Sequence, residues 1–315
     1  MMTIPVWGQH NIPQTNINPI KMGWSPWFMI IIFLEAYVLK RMLRNFTNLE
    51  KLDLYHVNMS NVPLDHNFFA NASLSLMFLG LTHCELRGKF PENVFRLPNL
   101  QYLDLWNNND LSGSLPTFNW STPLRHLVLS HTKISVDFSF LCTRAKSLQV
   151  LSLRNCSFIG TPYPAMLTNL TQLVQLTSLS LHFNNFGGQI PLFYLNLQQL
   201  IELDLSGNNF VGEIPQILET KNSTLPNNLE ILNFSENLLN LRSNMIQGNL
   251  PNVPLSLQVF FISNNHLYGE IPSSYCNLSK IYILDLSNNS IQGKIPSCLG
   301  NKSYLSVLDL DMNEL

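Results

Sequence analysis

The chain has 315 residues, 12% of them charged, with 18 basic against 20 acidic side chains and a net charge of −2. So balanced a chain offers no electrostatic basis for holding nucleic acid or an anionic membrane surface. A single globule of this length would strain the usual domain size, whereas a stack of repeats grows unit by unit without that ceiling.

Residues 1–23 form a polar segment expected to be disordered. Residues 24–48 form an apolar segment containing WFMIIIFLEAYVL, which from Trp27 to Leu39 is 13 residues long and includes Glu35. That run falls short of the ~20 apolar residues of a membrane-spanning helix, and no small-residue cleavage site follows it as a removable signal requires. Both tests favour a helix packed beneath the first repeat over an anchor or a signal.

Residues 49–315 carry eleven segments reading LxxLxLxxNxL or a close variant. Their second apolar positions are Leu52, Leu79, Leu103, Leu127, Leu151, Leu179, Leu203, Leu232, Phe260, Leu284 and Leu308, and six of the ten intervals are 24 residues. Alternate residues of a strand point to opposite faces, so these leucines turn inward and the residues between them outward. One such unit cannot bury its apolar edge alone, so the units must stack.

The asparagine slot holds Asn108, Asn184, Asn208, Asn237, Asn265, Asn289 and Asn313, whose buried amides would satisfy backbone groups of each turn. Cys84, Cys156 and Thr132 fill the same slot, so both cysteines read as small buried residues. After most strands a glycine and a proline recur, from Gly88 and Pro91 to Gly293 and Pro296, giving a tight turn and a fixed entry to the return segment. In SENLLNLRSNMIQGNLP a second strand-like core, Leu239 to Asn244, comes only seven residues after Leu232, as if two half-repeats were fused and the coil distorted. The last repeat stops at Leu315 without a cap, as though truncated.

LxGxIP after LxxLxLxxN resembles the plant-specific class of leucine-rich repeats. The stretches GKFPENVFRLPNLQYLDLWNNNDLSGSLP and CNLSKIYILDLSNNSIQGKIPSCLGN resemble plant receptor-like proteins of the disease-resistance type, a likeness that covers about residues 34 to 315. The resemblance implies an α/β leucine-rich repeat solenoid, a horseshoe of about eleven coils with a concave parallel β-sheet. LEAYVLKRMLRNFTNLEKLDL resembles the return segment and strand of one such repeat, which would place Val38, Leu39, Met42, Leu43 and Phe46 under the first coil. It further implies a fragment of a ligand-binding ectodomain, on the outer side of the plasma membrane, that takes protein or peptide ligands in defence signalling and works with a partner receptor kinase. A secreted inhibitor of a microbial cell-wall hydrolase and a non-functional gene remnant stay open as alternatives.

Eleven NxS/T sequons suit a secreted glycoprotein. Glycans are expected on Asn45, Asn58, Asn71, Asn119, Asn169, Asn222, Asn277 and Asn301, and at lower occupancy on Asn155, Asn233 and Asn288, which would crowd the sheet. Cys276 and Cys298 lie in adjacent return segments and could pair in an oxidising compartment, while Cys142 has no assigned role.

The outward slots of the first six coils are rich in aromatic and basic residues: Tyr55, His56, Phe78, His83, Tyr102, Trp106, Arg125, His131, Arg154, His182 and Phe183. Such residues carry much interface energy, so the ligand is expected there. From the seventh coil onward the slots hold mostly Asp and Ser, read as a solvated surface. His56, His83 and His131 share a column; a metal on the first two would lack a convergent third ligand, so no metal is expected, and a pH-sensitive contact is the better minor reading. The chain has no GxSxG, HExxH, phosphate loop or kinase signature, so neither catalysis nor a cofactor is expected.

Overall fold

The structure is a computed structural model that describes residues 32–33, 36–66, 68–70, 72–120, 122–156, 164–214, 226–236 and 246–315. The polar segment 1–23, Asn71, Asn222, Asn237 and the core of the suspected fused repeat lie outside the described residues.

Eleven strands form one parallel sheet in strict chain order: Lys51–Tyr55, Phe78–Thr82, Tyr102–Asp104, His126–Val128, Val150–Ser152, Ser178–Ser180, Glu202–Asp204, Ile231–Asn233, Val259–Phe261, Ile283–Asp285 and Val307–Asp309. Coils 1 to 11 are numbered here by these strands. The register sets like beside like: Leu52 pairs with Leu79, Leu79 with Leu103, and so on to Leu284 with Leu308. Through coil 10 these inward residues are 0–5% exposed, each burial being worth ~1.5–3 kcal/mol. A slip of one residue would turn a whole strand inside out, so the period-2 pattern fixes the register.

The asparagines bind coils together. The Asn108 amide donates to the Leu81 carbonyl of the preceding coil at 2.7 Å and to its own Leu105 carbonyl at 2.8 Å, while its oxygen accepts from Leu86 N at 2.9 Å. Asn184, Asn208 and Asn289 repeat the pattern. In the same slot the Cys84 and Cys156 thiols donate to Leu54 and Leu129 carbonyls, and burial pushes both thiols up to about 12, which keeps them protonated.

Just before that slot the chain must leave the sheet, and it does so with one left-handed residue per coil: His56, His83, Asn107, His131, Asn155, Phe183, Gly207, Glu236, Asn264, Asn288 and Met312, all with φ between 48° and 61°. On the return side, short parallel strands such as Arg87–Lys89, Asp110–Ser114 and Lys133–Ser135 pair between coils. The repeated proline then caps a 3-10 turn, with Pro91 before Glu92–Arg96 and Pro272 before Ser273–Asn277. Gly248 shows why glycine recurs there: its φ is +98°, and a Cβ would lie 2.9 Å from Glu213 Cγ in the neighbouring coil.

Helix α1 spans Ala36–Asn45 and precedes the first coil. Leu39 and Leu43, one helical turn apart, are buried at 0% and 2%, with Val38 and Met42 at the margin. Phe46 is a correction, because it falls past the end of the helix and is 50% exposed. Among the described residues no helix is long and apolar enough to cross a membrane. In the return segment after the coil 4 strand, helix α2 (Phe138–Arg144) is capped by Asp137, whose carboxylate accepts from Ser139 N and Phe140 N. The thiol of Cys142 is buried on the inner side of this helix, with Phe138 and Leu141.

Coil 8 does not show the expected distortion in its sheet strand: Ile231–Asn233 is in register with both Glu202–Asp204 and Val259–Phe261. The connection that carries the shortened spacing lies outside the described residues. Cys276 and Cys298 are joined in a disulfide between adjacent return segments, their Cα atoms 5.6 Å apart.

Candidate ligand-binding face

The exposed side of the sheet is built from columns that run from coil to coil. One column holds Lys51, Phe78, Tyr102 and His126, brought side by side by strand register. The Lys51 ammonium lies 4.1 Å from the Phe78 ring centre, Phe78 stacks on Tyr102 at 4.1 Å and 11°, and Tyr102 stacks on His126 at 5.0 Å. The rings therefore show their edges to solvent and their faces to one another. Burial raises the Tyr102 phenol, as do the nearby Asp104 and Asp53 carboxylates, so it stays protonated.

The histidines sit elsewhere than their alternation with leucines implied. His56, His83, His131 and Phe183 are not strand residues but belong to the left-handed turns along the exit edge of the sheet. A period of two carries no mark of where the strand ends: His56 and His83 lie one residue past their strands, and His131 and Phe183 three. His56 and His83 stack at 4.5 Å, Asn107 intervenes with a 2.6 Å bond to His83 Nδ1, and Asn155 bonds His131 Nδ1 at 3.0 Å. Tyr55 and Trp106 pack edge-on to His83 at 5.4 and 4.6 Å. One aromatic patch thus joins Tyr55, His56, His83 and Trp106 beside the Phe78–Tyr102 stack. Burial, then the proximity of His56 and His131, lowers the pKa of His83.

A second group surrounds Arg154. Its guanidinium lies 5.5 Å from the Phe183 ring centre, and its backbone N–H donates to Ser130 Oγ, which is 2.8 Å from Ser152 Oγ. His182 Nδ1 bonds Ser206 Oγ, and that hydroxyl donates to Asp204 Oδ1 at 2.5 Å. Burial first, and the Arg154 charge second, press the His182 pKa down to about 4, so its ring is neutral at pH 5–7. His131 is lowered by the same two causes in the same order. Arg125 stands apart, exposed beside the coil 4 strand.

Composition missed the role of the aspartates and serines. Asp204, Asp285 and Asp104 each accept the backbone N–H two residues on, from Ser206, Ser287 and Trp106 at 2.9–3.0 Å. Ser206, Ser235 and Ser263 are buried. The slots of coils 7 to 11 are therefore not simply solvated, since these short side chains hold the strand exits in place. The Asp-x-Ser spacing was the available signal. Ser206 is 2% exposed with its hydroxyl committed to Asp204, so the His182–Ser206–Asp204 chain positions the imidazole and offers no nucleophile. Among the described residues no group of three His, Cys, Asp or Glu side chains could hold a metal ion.

Of the predicted glycan sites, Asn45, Asn119, Asn277 and Asn301 are exposed, whereas Asn58 and Asn169 are half-buried. Asn58 bonds Glu85 and Asn169 bonds the Met166 carbonyl.

The Leucine Rich Repeat family model matches residues 99–120, 199–220, 256–278 and 280–302. Receptor like protein 23 of Arabidopsis thaliana is 31% identical over 219 residues, which is 68% of this chain and 22% of that relative. Receptor like protein 24 of the same species is 29% identical over 256 residues, 78% of this chain and 26% of the relative. The chain thus spans about a quarter of the length of these relatives. Among solved structures, a TDR receptor superposes with a TM-score of 0.65 at 25% identity, covering 88% of this chain and 49% of that one. The Arabidopsis receptor kinase HAESA, solved with the peptide hormone IDA and the co-receptor SERK1, superposes with a TM-score of 0.59 at 28% identity, covering 86% and 47%. In repeat spacing and in backbone alike, the chain is a leucine-rich repeat solenoid, similar in sequence to plant receptor-like proteins.

Proposed function

We propose that the chain is part of the ligand-binding ectodomain of a plant cell-surface receptor-like protein in defence signalling. It takes a protein or peptide ligand on the concave sheet face of coils 1 to 6 and signals through a partner receptor kinase at the outer side of the plasma membrane. The observation that carries this reading is two aromatic clusters on that face, Tyr55, His56, His83 and Trp106 in one and Phe78 stacked on Tyr102 in the other, with Arg154 and Phe183 beyond them. Aromatic and arginine side chains are the ones that anchor interfaces, and a rigid sheet presents them without an ordering cost. HAESA, a structural neighbour, carries a peptide hormone and a co-receptor in its complex, which supports the same two kinds of partner here. The outward Asn45, Asn119, Asn277 and Asn301 and the Cys276–Cys298 disulfide suit an extracellular, glycosylated chain.

The test places the chain on the membrane span of a related receptor-like protein and expresses it in leaf tissue exposed to microbial extracts. A wild-type oxidative burst that Trp106→Ala abolishes at equal protein level would support the reading. An equal burst from both would contradict it.

A further inference from the structure

The charge on the sheet face is sorted along the stack. Coils 4 to 6 present Arg125, His126, His131, Arg154 and His182 and not a single carboxylate over residues 125–131, 149–155 and 177–183. Coils 7 to 11 reverse this, with Glu202, Asp204, Glu230, Glu236, Asp285, Asp309 and Asp311 and no Lys, Arg or His over the corresponding segments. The first three coils carry the aromatic clusters together with Glu50, Asp53 and Asp104 against a single Lys51, which is paired with Asp53 at 3.1 Å. So the face reads aromatic, then cationic, then anionic. With His182 held neutral, the standing positive charge of the middle band is that of Arg125 and Arg154.

We propose that the ligand is an acidic, extended peptide segment crossing the strands, with an apolar or aromatic residue over coils 2 to 4 and a carboxylate over the arginine band. This deepens the reading under "Proposed function" and rests on it. Charge complementarity selects the partner: a carboxylate gains from Arg125 and Arg154, and the carboxylates of the coils on either side repel it and hold it to that middle band. Strands are spaced ~4.8 Å and an extended residue advances ~3.3 Å, so coil 2 and coil 5 are about four peptide residues apart. The aromatic and the acidic residue should be separated accordingly. The exposed ring edges of Phe78 and Tyr102 carry positive partial charge and also favour peptide carbonyls.

The experiment pans random dodecapeptides on the immobilised chain at low salt, then measures the retained peptides against three variants. The expected peptides are net acidic, with an aromatic or apolar residue about four positions from Asp or Glu. They weaken as salt rises and lose about tenfold or more in affinity on Arg125→Gln or Arg154→Gln. Arg125 is exposed, so its variant should melt like the wild type, which separates binding from folding. Enrichment of basic or neutral peptides, or binding unchanged in both arginine variants, overturns the acidic class. If those peptides still lose affinity on Trp106→Ala, the face itself remains the binding site. No retained peptide, or retained peptides that ignore Trp106→Ala as well, would sink both.

Discussion

The half-buried imidazole of His182 ties stability to pH. In the folded chain His182 resists protonation down to about pH 4, whereas in the unfolded chain it titrates near its ordinary value of 6.5. Its folded pKa is lowered, so between those two values the unfolded state binds the extra proton and stability falls as pH drops. With the side chain 15% exposed, the loss between pH 7 and pH 4 should be on the order of 1–3 kcal/mol. Urea unfolding at both pH values should show it, and the pH effect should shrink in His182→Asn. An unchanged difference would mean the imidazole is not held as described. Asn289→Ala tests the ladder in the same way. It removes donors to Ile262 and Leu286 carbonyls and the acceptor of Leu267 N, so a cost of about 2–4 kcal/mol is expected from the orphaned backbone groups. A midpoint within error of wild type would show that the asparagines are replaceable filler.

At the level of the coil, the 24-residue period and the leucine spacing were enough to place all eleven strands, because one inward face leaves only one register. The limits of the strands were less legible. His131 and Phe183 read as outward strand residues because alternation continues through them, but the backbone turns left-handed there and sends their side chains along the exit edge. The aspartates of coils 7 to 11 read as solvated because single-residue polarity does not report a local bond to the N–H two positions on. Likeness to a repeat's return segment places Phe46 under the first coil, but it lies beyond the helix end and is exposed. The disulfide is a further coil-level device. It closes a loop of 22 residues in sequence separation, so the chain-entropy account gives about 3 kcal/mol of stabilisation. Mild reduction should lower the melting temperature, and Cys276→Ala should reproduce that shift and abolish the response to reductant. A Cys276→Ala chain that melts like oxidised wild type would argue against a stabilising bridge. Leu284→Asp, which buries an unpaired charge between coils 9 and 11, should instead unravel that end while coils 1 to 6 persist, visible by hydrogen exchange.

For the whole molecule, the solenoid separates framework from function. Inward leucines and the asparagine ladder repeat in every part of the stack, whereas the outward columns change from aromatic to cationic to anionic. The framework was therefore readable from its period. The site was only half readable, because the columns form by juxtaposing residues 24 to 29 positions apart, and contacts such as Phe78 on Tyr102 exist only once the coils are stacked. The central claim is that coils 1 to 6 carry the binding face. It is tested most directly by comparing Trp106→Ala with Asp285→Ala for affinity to peptides selected on the wild-type chain, with thermal unfolding recorded alongside. The account predicts a loss of about tenfold or more for Trp106→Ala and near wild-type binding for Asp285→Ala. Equal affinity in Trp106→Ala and a loss confined to Asp285→Ala would place the ligand on the other half of the sheet and contradict it.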